Sequence, residues 1–408
     1  MRPYVDLLRR ERDFRRAYVS QLIALGGDWF AVIPLLVLLP ELTGSGLWGA
    51  LVLTADTLVF ALVAPYAGTV VDRLDRRRVM VVANLAGGAA ALLLLLVRSE
   101  STAWVALVGM GLIAAAKAFA HPAGAAALPN LVDRDDLSVA SVLNGASWGT
   151  MLAVGAALGG LVAGTLGPTA CFLATAGLLW LAALLVARTT RPFSDPSAPP
   201  RARRSARADI AEAAGYARRE HSVLALLTCK TGPAFGNGAL SLFPLYGAAA
   251  FGAGPLGVGL MYSARGVGAL LGPLLLRGRA TEPAALRSVL ACSMAVFGVG
   301  YLALAVTPWF VLVLLLLVVA HAGGGANWIL STYGLQATVP DALRGRVFSA
   351  DYTLATLVIA GSQVAFGLLS EVVPARDLLA AAGAVVLLYS GLWWRAPRVL
   401  RRSAPVPG

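Results

Sequence analysis

Charged side chains make up only 13% of the 408 residues, about half the ~25% of a soluble globular domain. Hydrophobic residues fill 58%, and the mean hydropathy is +0.75. A water-soluble fold is thereby excluded, and an all-helical integral membrane protein is expected. Histidine occurs three times, at His121, His221 and His321, and cysteine three times, at Cys171, Cys229 and Cys292. The cysteines lie in apolar runs at no metal-like spacing, so no disulfide framework is expected. The scattered histidines supply no metal set, and no clustered nucleophile or acid pair marks an enzyme site near one interface. A Gly-x-x-x-x-Gly-Lys-Ser/Thr phosphate loop is also lacking, which argues against ATP as an energy source. No cofactor is expected, and no soluble sensor domain is seen in the 408 residues.

What is present is a series of long apolar runs. A span needs roughly 20 such residues to cross a ~30 Å hydrocarbon core. The first half supplies Ala17–Leu39, Leu47–Val71, Val79–Val97, Ala103–Leu128, Leu137–Thr165 and Thr169–Ala187. The first run is too long for a signal-peptide core and is interrupted by Asp28, so it reads as a mature helix. A polar, proline-bearing stretch, 188–221, then interrupts the pattern and is expected to be a linker with a short helix near Asp209–Arg219. The second half supplies Val223–Phe251, Leu256–Leu276, Ala284–Val306, Trp309–Leu330, Val347–Val373 and Leu378–Trp394. Twelve spans are expected, as a six-helix bundle in 1–187, the linker 188–221, and a second bundle in 222–408.

The basic residues test that topology. Lys and Arg total 33. With both termini cytoplasmic, only Arg98 and Arg376 fall in outer loops, and Lys117, Lys230 and Arg265 fall within spans. Every other one lies on the cytoplasmic side, as the positive-inside rule requires. The formal net charge of +12 therefore points to anionic lipid and membrane orientation, not to nucleic acid. The densest cluster is the short loop Gly68-Thr-Val-Val-Asp72-Arg73-Leu-Asp75-Arg76-Arg77-Arg78 between the second and third runs. As a count of arginines it is a topology anchor. The two halves also echo one another: Ala55-Asp56 in the second run lines up with Ala264-Arg265 in the eighth.

The ordered pattern Gly-x-x-x-Asp-Arg-x-x-Arg-Arg-Arg resembles the signature loop of the major facilitator superfamily, with Asp75 where a second glycine is usual. Gly26-Gly27-Asp28-Trp29, His121-Pro122, Tyr262-Ser-Ala-Arg265-Gly266 and Arg344-Gly345-Arg346 are similar to the bacterial branch that includes the enterobactin exporter and macrolide efflux pumps. Gly155, Gly159 and Gly160 resemble the end of the superfamily's antiporter motif, with Ala156 replacing its proline. A small-residue packing face explains those glycines as well. The resemblance implies two pseudo-symmetric six-helix bundles in a bacterial-type cytoplasmic membrane, working as a monomer by alternating access. It also implies proton-coupled export of a drug, natural product or siderophore, with uptake symport as the alternative. In the superfamily the signature loop braces the cytoplasmic gate, which here gives Asp72 an expected partner in the start of the eleventh span with Arg344 and Arg346.

Ionisable groups within spans are the candidates for chemistry, because an isolated charge in hydrocarbon costs at least ~2.5–3.5 kcal/mol. Asp28 and Asp56 are the proton-coupling candidates, and Lys117 lies at about the depth of Asp28, so the two are expected to pair. Lys117, Arg265 and Lys230, with Trp29, Tyr262, Asn327 and Gln363, are candidates for the substrate. Each is alternatively a local structural group, satisfied by a carbonyl or reaching the surface. Counting Asp28 and Asp56 against Lys117, Lys230 and Arg265 leaves a slight cationic excess, from which a neutral, zwitterionic or anionic amphiphile is expected.

Overall fold

The computed structural model describes residues 2–193, 215–276 and 283–395. Among them the regular structure consists of α-helices and short 3-10 turns, with no strands. This is what apolar surroundings demand, since a helix satisfies its backbone groups within one segment. The helices are α1 (Arg2–Arg10), α2 (Arg12–Thr43), α3 (Leu47–Val71), α4 (Arg76–Leu93), α5 (Trp104–Leu131) and α6 (Leu137–Ala187). They continue with α7 (His221–Cys229), α8 (Thr231–Gly238), α9 (Phe243–Phe251) and α10 (Pro255–Leu275). The last four are α11 (Pro283–Val306), α12 (Phe310–Thr338), α13 (Asp341–Leu369) and α14 (Ala375–Arg395).

These elements make twelve membrane spans. Ten helical segments are long and apolar enough to cross a bilayer, and α6 accounts for two spans. It is two helices joined at a kink, where Gly167 adopts φ 81° and Pro168 follows it. A left-handed glycine ahead of a proline reverses the chain at no steric cost, giving spans at 137–166 and 168–187. The seventh span differs from the single uninterrupted helix expected over Val223–Phe251. It is built from α7, α8, a 3-10 turn at Ala239–Leu242, and α9. Pro233 has no N–H for the Cys229 carbonyl, and Pro244 has none for that of Leu240, so the ladder loosens at both places. The short helix expected near Asp209–Arg219 lies partly outside the described residues, and 215–219 are helical.

By its contacts the chain divides into two compact units. The first holds residues 2–193 with 253–263, and the second holds 215–252, 264–276 and 283–395. In the first, α2 packs along both halves of α6 through small residues and single hydrogen bonds. Thr175 donates to the Gly27 carbonyl at 3.2 Å and Ser20 to that of Ala182 at 2.8 Å. In the second unit Gly298 and Gly383 let α11 and α14 meet so closely that a Cβ on either would lie 2.7 Å from the other's carbonyl oxygen.

Gly155 and Gly159 do the same between α2 and α6. A Cβ at Gly155 would stand 3.0 Å from the Gly26 Cα, and one at Gly159 2.9 Å from the Trp29 carbonyl oxygen. Backbone cannot yield as a side-chain tip can, so Gly159→Val forces the helices apart at a cost of roughly 1–3 kcal/mol. The expected outcome is a drop of several degrees in the thermal midpoint of the detergent-purified protein, read by tryptophan fluorescence. Gly145→Val is the control, since a Cβ there meets nothing within 4 Å. Equal melting of the two variants would contradict this packing role.

Candidate functional site

The first unit gathers three of the charged candidates at one point. The Lys117 ammonium, on α5, lies 3.1 Å from an Asp28 carboxylate oxygen on α2 and 2.7 Å from one of Asp56 on α3. An Asp28–Lys117 pair is expected from their depths, whereas Asp56 enters as a second partner that depth alone does not reveal. All three side chains are partly buried, between 13% and 25% exposed. The Phe60 ring centroid is 6.0 Å from the same ammonium. Two carboxylates share one cation, so the cluster carries one negative charge in excess when both are ionised.

Asp28 and Lys117 open onto a cavity inside this unit. Its walls are mainly apolar side chains of α2, α4, α5 and α6, with Asn84, Asn144 and His121 as further polar groups. Asn84 donates to the Met80 carbonyl one turn back at 2.9 Å. Trp29 leaves this cavity and packs on Tyr262, with ring centroids 5.5 Å apart. Gly160 supports the same neighbourhood: a Cβ there would lie 3.0 Å from the Gly259 Cα.

The loop between α3 and α4 is built differently from a uniform patch of charge. Asp75 is the N-cap of α4 and accepts a hydrogen bond from the Arg78 backbone N–H at 2.8 Å. A capping acid at a helix start explains why this position holds an acid in place of the usual glycine. Asp72 ends α3, with its N–H on the Gly68 carbonyl at 3.0 Å, and Asp72 and Arg73 are exposed. Arg76 donates to the carbonyls of Ala126 at 2.8 Å and Phe193 at 3.2 Å, while Arg77 donates to that of Ala187. The start of the linker is thus strapped to the bundle. Asn130 also donates to the Phe193 carbonyl, and Asp13 accepts from the backbone N–H groups of Thr190 and Arg191.

The second unit holds a charge pair. Lys230, at the junction of α7 and α8, donates to Asp351 on α13 and to the Thr332 hydroxyl at 2.9 Å. The Trp328 ring centroid is 5.0 Å from its ammonium. Lys230 is 2% exposed and Asp351 5%. The sequence reading overlooked Asp351, although it lies inside the apolar run Val347–Val373. Counting it balances the intramembrane charges, three against three, and removes the cationic excess from which an anionic preference was argued. In the folded helices Lys230 and Asp351 each lie about ten residues, or ~15 Å, from the N-terminal ends of α7 and α13, a match that the apolar runs starting at Val223 and Val347 do not show. Asn327 and Gln363 are buried in this unit. Arg265 is half-buried on α10. The Arg344 guanidinium reaches the Val339 carbonyl at 3.5 Å, and Arg346 is partly buried one half-turn on. His321 meets the Tyr301 hydroxyl at 3.1 Å and the edge of Phe297, a structural setting.

The arginine straps give a direct prediction. Arg76→Gln removes a donor to the Phe193 carbonyl, and combined with Asp13→Ala, which removes the acceptor of the Thr190 and Arg191 N–H groups, it should free residues 188–193. Limited trypsin digestion of the folded protein should then cut after Arg188 and Arg191 at least several-fold faster. An unchanged cutting rate would contradict the strap.

Comparison with known proteins places this geometry in a family. Residues 8–401 match the family described as transmembrane secretion effector, a branch of the major facilitator superfamily. No functionally curated protein matches the chain. Among solved structures, a bacterial homologue of the human lysosomal transporter Spinster superposes with a TM-score of 0.75 at 15% identity, covering 97% of this chain and 99% of that one. A POT family transporter in complex with a thioalcohol-conjugated peptide gives 0.75 at 10% identity, covering 93% and 95%. A D-xylose–proton symporter gives 0.70 at 12% identity, covering 96% and 99%. At these identities the structures share the fold, and the family match carries the assignment: this chain is a multi-pass membrane transporter of the major facilitator superfamily, in its transmembrane secretion effector family.

Proposed function

We propose that the protein is a proton-coupled exporter of a bulky amphiphilic small molecule, working by alternating access in a bacterial-type cytoplasmic membrane with both termini cytoplasmic. The observation that carries this reading is one lysine shared by two aspartates. The cluster of Asp28, Lys117 and Asp56 holds an odd negative charge, and a proton on either carboxylate neutralises it. An excess charge in hydrocarbon costs at least ~2.5–3.5 kcal/mol, so loading and unloading that proton changes which surroundings the cluster tolerates. A conformational change that wets the cluster on one side and dries it on the other then moves the proton with it. The cavity beside Asp28 and Lys117 suits an amphiphile, with apolar walls and a few convergent polar groups. The family description, secretion, supports the outward direction.

Within this reading Gly68, Asp72, Arg73, Arg76, Arg77 and Arg78 serve the gate on the cytoplasmic side. Asp72→Asn should slow transport and raise labelling of cysteines placed on the cytoplasmic side, with normal expression. If Asp72→Asn combined with Asp75→Asn leaves labelling and rate unaltered, the loop only orients the protein.

The decisive experiment for the coupling uses inverted vesicles and a substrate found by proton-gradient-dependent efflux in pump-deficient cells. Asp28→Asn should lose uphill transport at least tenfold while still binding the substrate. Uphill transport at the wild-type rate by both Asp28→Asn and Asp56→Asn would refute the proposal.

A further inference from the structure

The Lys230–Asp351 pair differs from the cluster around Lys117 in being electrically balanced and almost completely buried. A buried ion pair is poor evidence for stability, because desolvation offsets the attraction. This one is also incompletely satisfied. One Asp351 carboxylate oxygen bonds Lys230, while Oδ1 is buried and faces no donor among the described residues. The Asn327 side-chain nitrogen is likewise buried, 1% exposed as a residue, with no acceptor. Asn327 and Trp328 are adjacent on α12, and Trp328 covers the Lys230 ammonium. An idle acceptor and an idle donor therefore flank one lysine. Each orphan destabilises the buried site unless a ligand or proton fills it.

The charges restrict what can fill them. A proton added to Asp351 alone strands the Lys230 cation in an apolar interior, and an anion added to Lys230 alone strands the Asp351 carboxylate. Only the two together leave the site neutral. We propose that Lys230 binds an anionic group of the substrate, and that this anion enters together with one proton, which Asp351 takes. The inference rests on the transport function proposed above and specifies its substrate as one bearing a carboxylate or a similar anion; the proton that leaves with the anion offsets the one carried inward by the Lys117 cluster, so net export of the anion is driven by the membrane potential, negative inside. In the step, the Lys230–Asp351 ion pair opens, a proton from solution bonds Asp351, and the substrate anion replaces Asp351 on the ammonium. No charge is left over. Asn327 supplies its free N–H to the same anion, and the proline-loosened junction of α7 and α8 lets Lys230 shift. Lys230 and Cys229 are the titratable groups acting on Asp351 from α7 and its junction with α8. On α12 His321 lies about three turns from Thr332, held by Tyr301.

The test is calorimetric binding of octanoate to the purified protein in lipid nanodiscs, with octylammonium as the opposite-charge control and buffers of different ionisation enthalpy to count protons. Wild-type protein should take up about one proton per octanoate, so its Kd should rise about tenfold per unit of rising pH. Lys230→Gln should weaken octanoate at least tenfold and should not weaken octylammonium. Asp351→Asn should bind octanoate without proton uptake, and with a Kd independent of pH. The double variant Lys230→Gln with Asp351→Asn, which keeps the site neutral, should neither bind octanoate tightly nor take up a proton. Octanoate binding by the wild type without a proton, or binding unchanged by Lys230→Gln, overturns the proposal. Failure of both wild type and Asp351→Asn to bind octanoate overturns it equally. The coupling role of Asp28 is judged by gradient-driven transport and not by this binding, so either conclusion can fall alone.

Discussion

Hydrocarbon offers no water to a charge, and each feature of functional interest here answers that constraint. The helices satisfy their own backbones, and ahead of Pro244 the chain tightens into the 3-10 turn Ala239–Leu242. Side-chain hydroxyls bond neighbouring carbonyls, as Thr175 and Ser20 do between α2 and α6. Glycines bring those helices close enough for such bonds to form. Five of the six charges counted inside have been brought to one another: Lys117 to Asp28 and Asp56, Lys230 to Asp351.

The two groupings solve the constraint in different ways. Around Lys117 the charges do not cancel, so the site holds a standing demand for one cation, and a proton is the smallest that can meet it. Around Lys230 they cancel, and what remains unsatisfied is a single acceptor and a single donor. The first grouping is partly exposed and borders a cavity. The second is closed off. A carrier that uses an odd charge in one unit and a balanced pair in the other separates the binding of a driving ion from the recognition of cargo.

Much of this was legible before any coordinates. Twelve apolar runs of span length, punctuated by Arg-rich loops, determine the helix count because length and apolarity are what a bilayer selects. Gly167-Pro168 could be read as a break between two runs, since that pair interrupts a helix. Asp28 and Lys117 could be matched by depth along their helices. Other features were hidden for definite reasons. Asp56 joins the cluster through the lateral placement of α3, which depth along one helix does not reveal. Asp351 was passed over because its run is long and apolar enough to read as a plain span, and because runs starting at Val223 and Val347 put Lys230 and Asp351 at different depths until the helix starts are seen. Asp75 looked like a departure from a motif until its carboxylate was seen capping α4. The strap of Arg76 and Arg77 onto backbone carbonyls leaves no trace in a list of charges, because its partners are not side chains.

The central claim is that one carboxylate of the Lys117 cluster carries a proton inside the membrane. Infrared difference spectroscopy of the protein in bilayers, with carboxyl-labelled aspartate, observes that proton directly. The account predicts a protonated-carboxyl band that shifts with the label, disappears in a single step as the pH is raised, and is lost in both Asp28→Asn and Asp56→Asn. Absence of any such band in the wild type, or its persistence in both variants, would contradict the account.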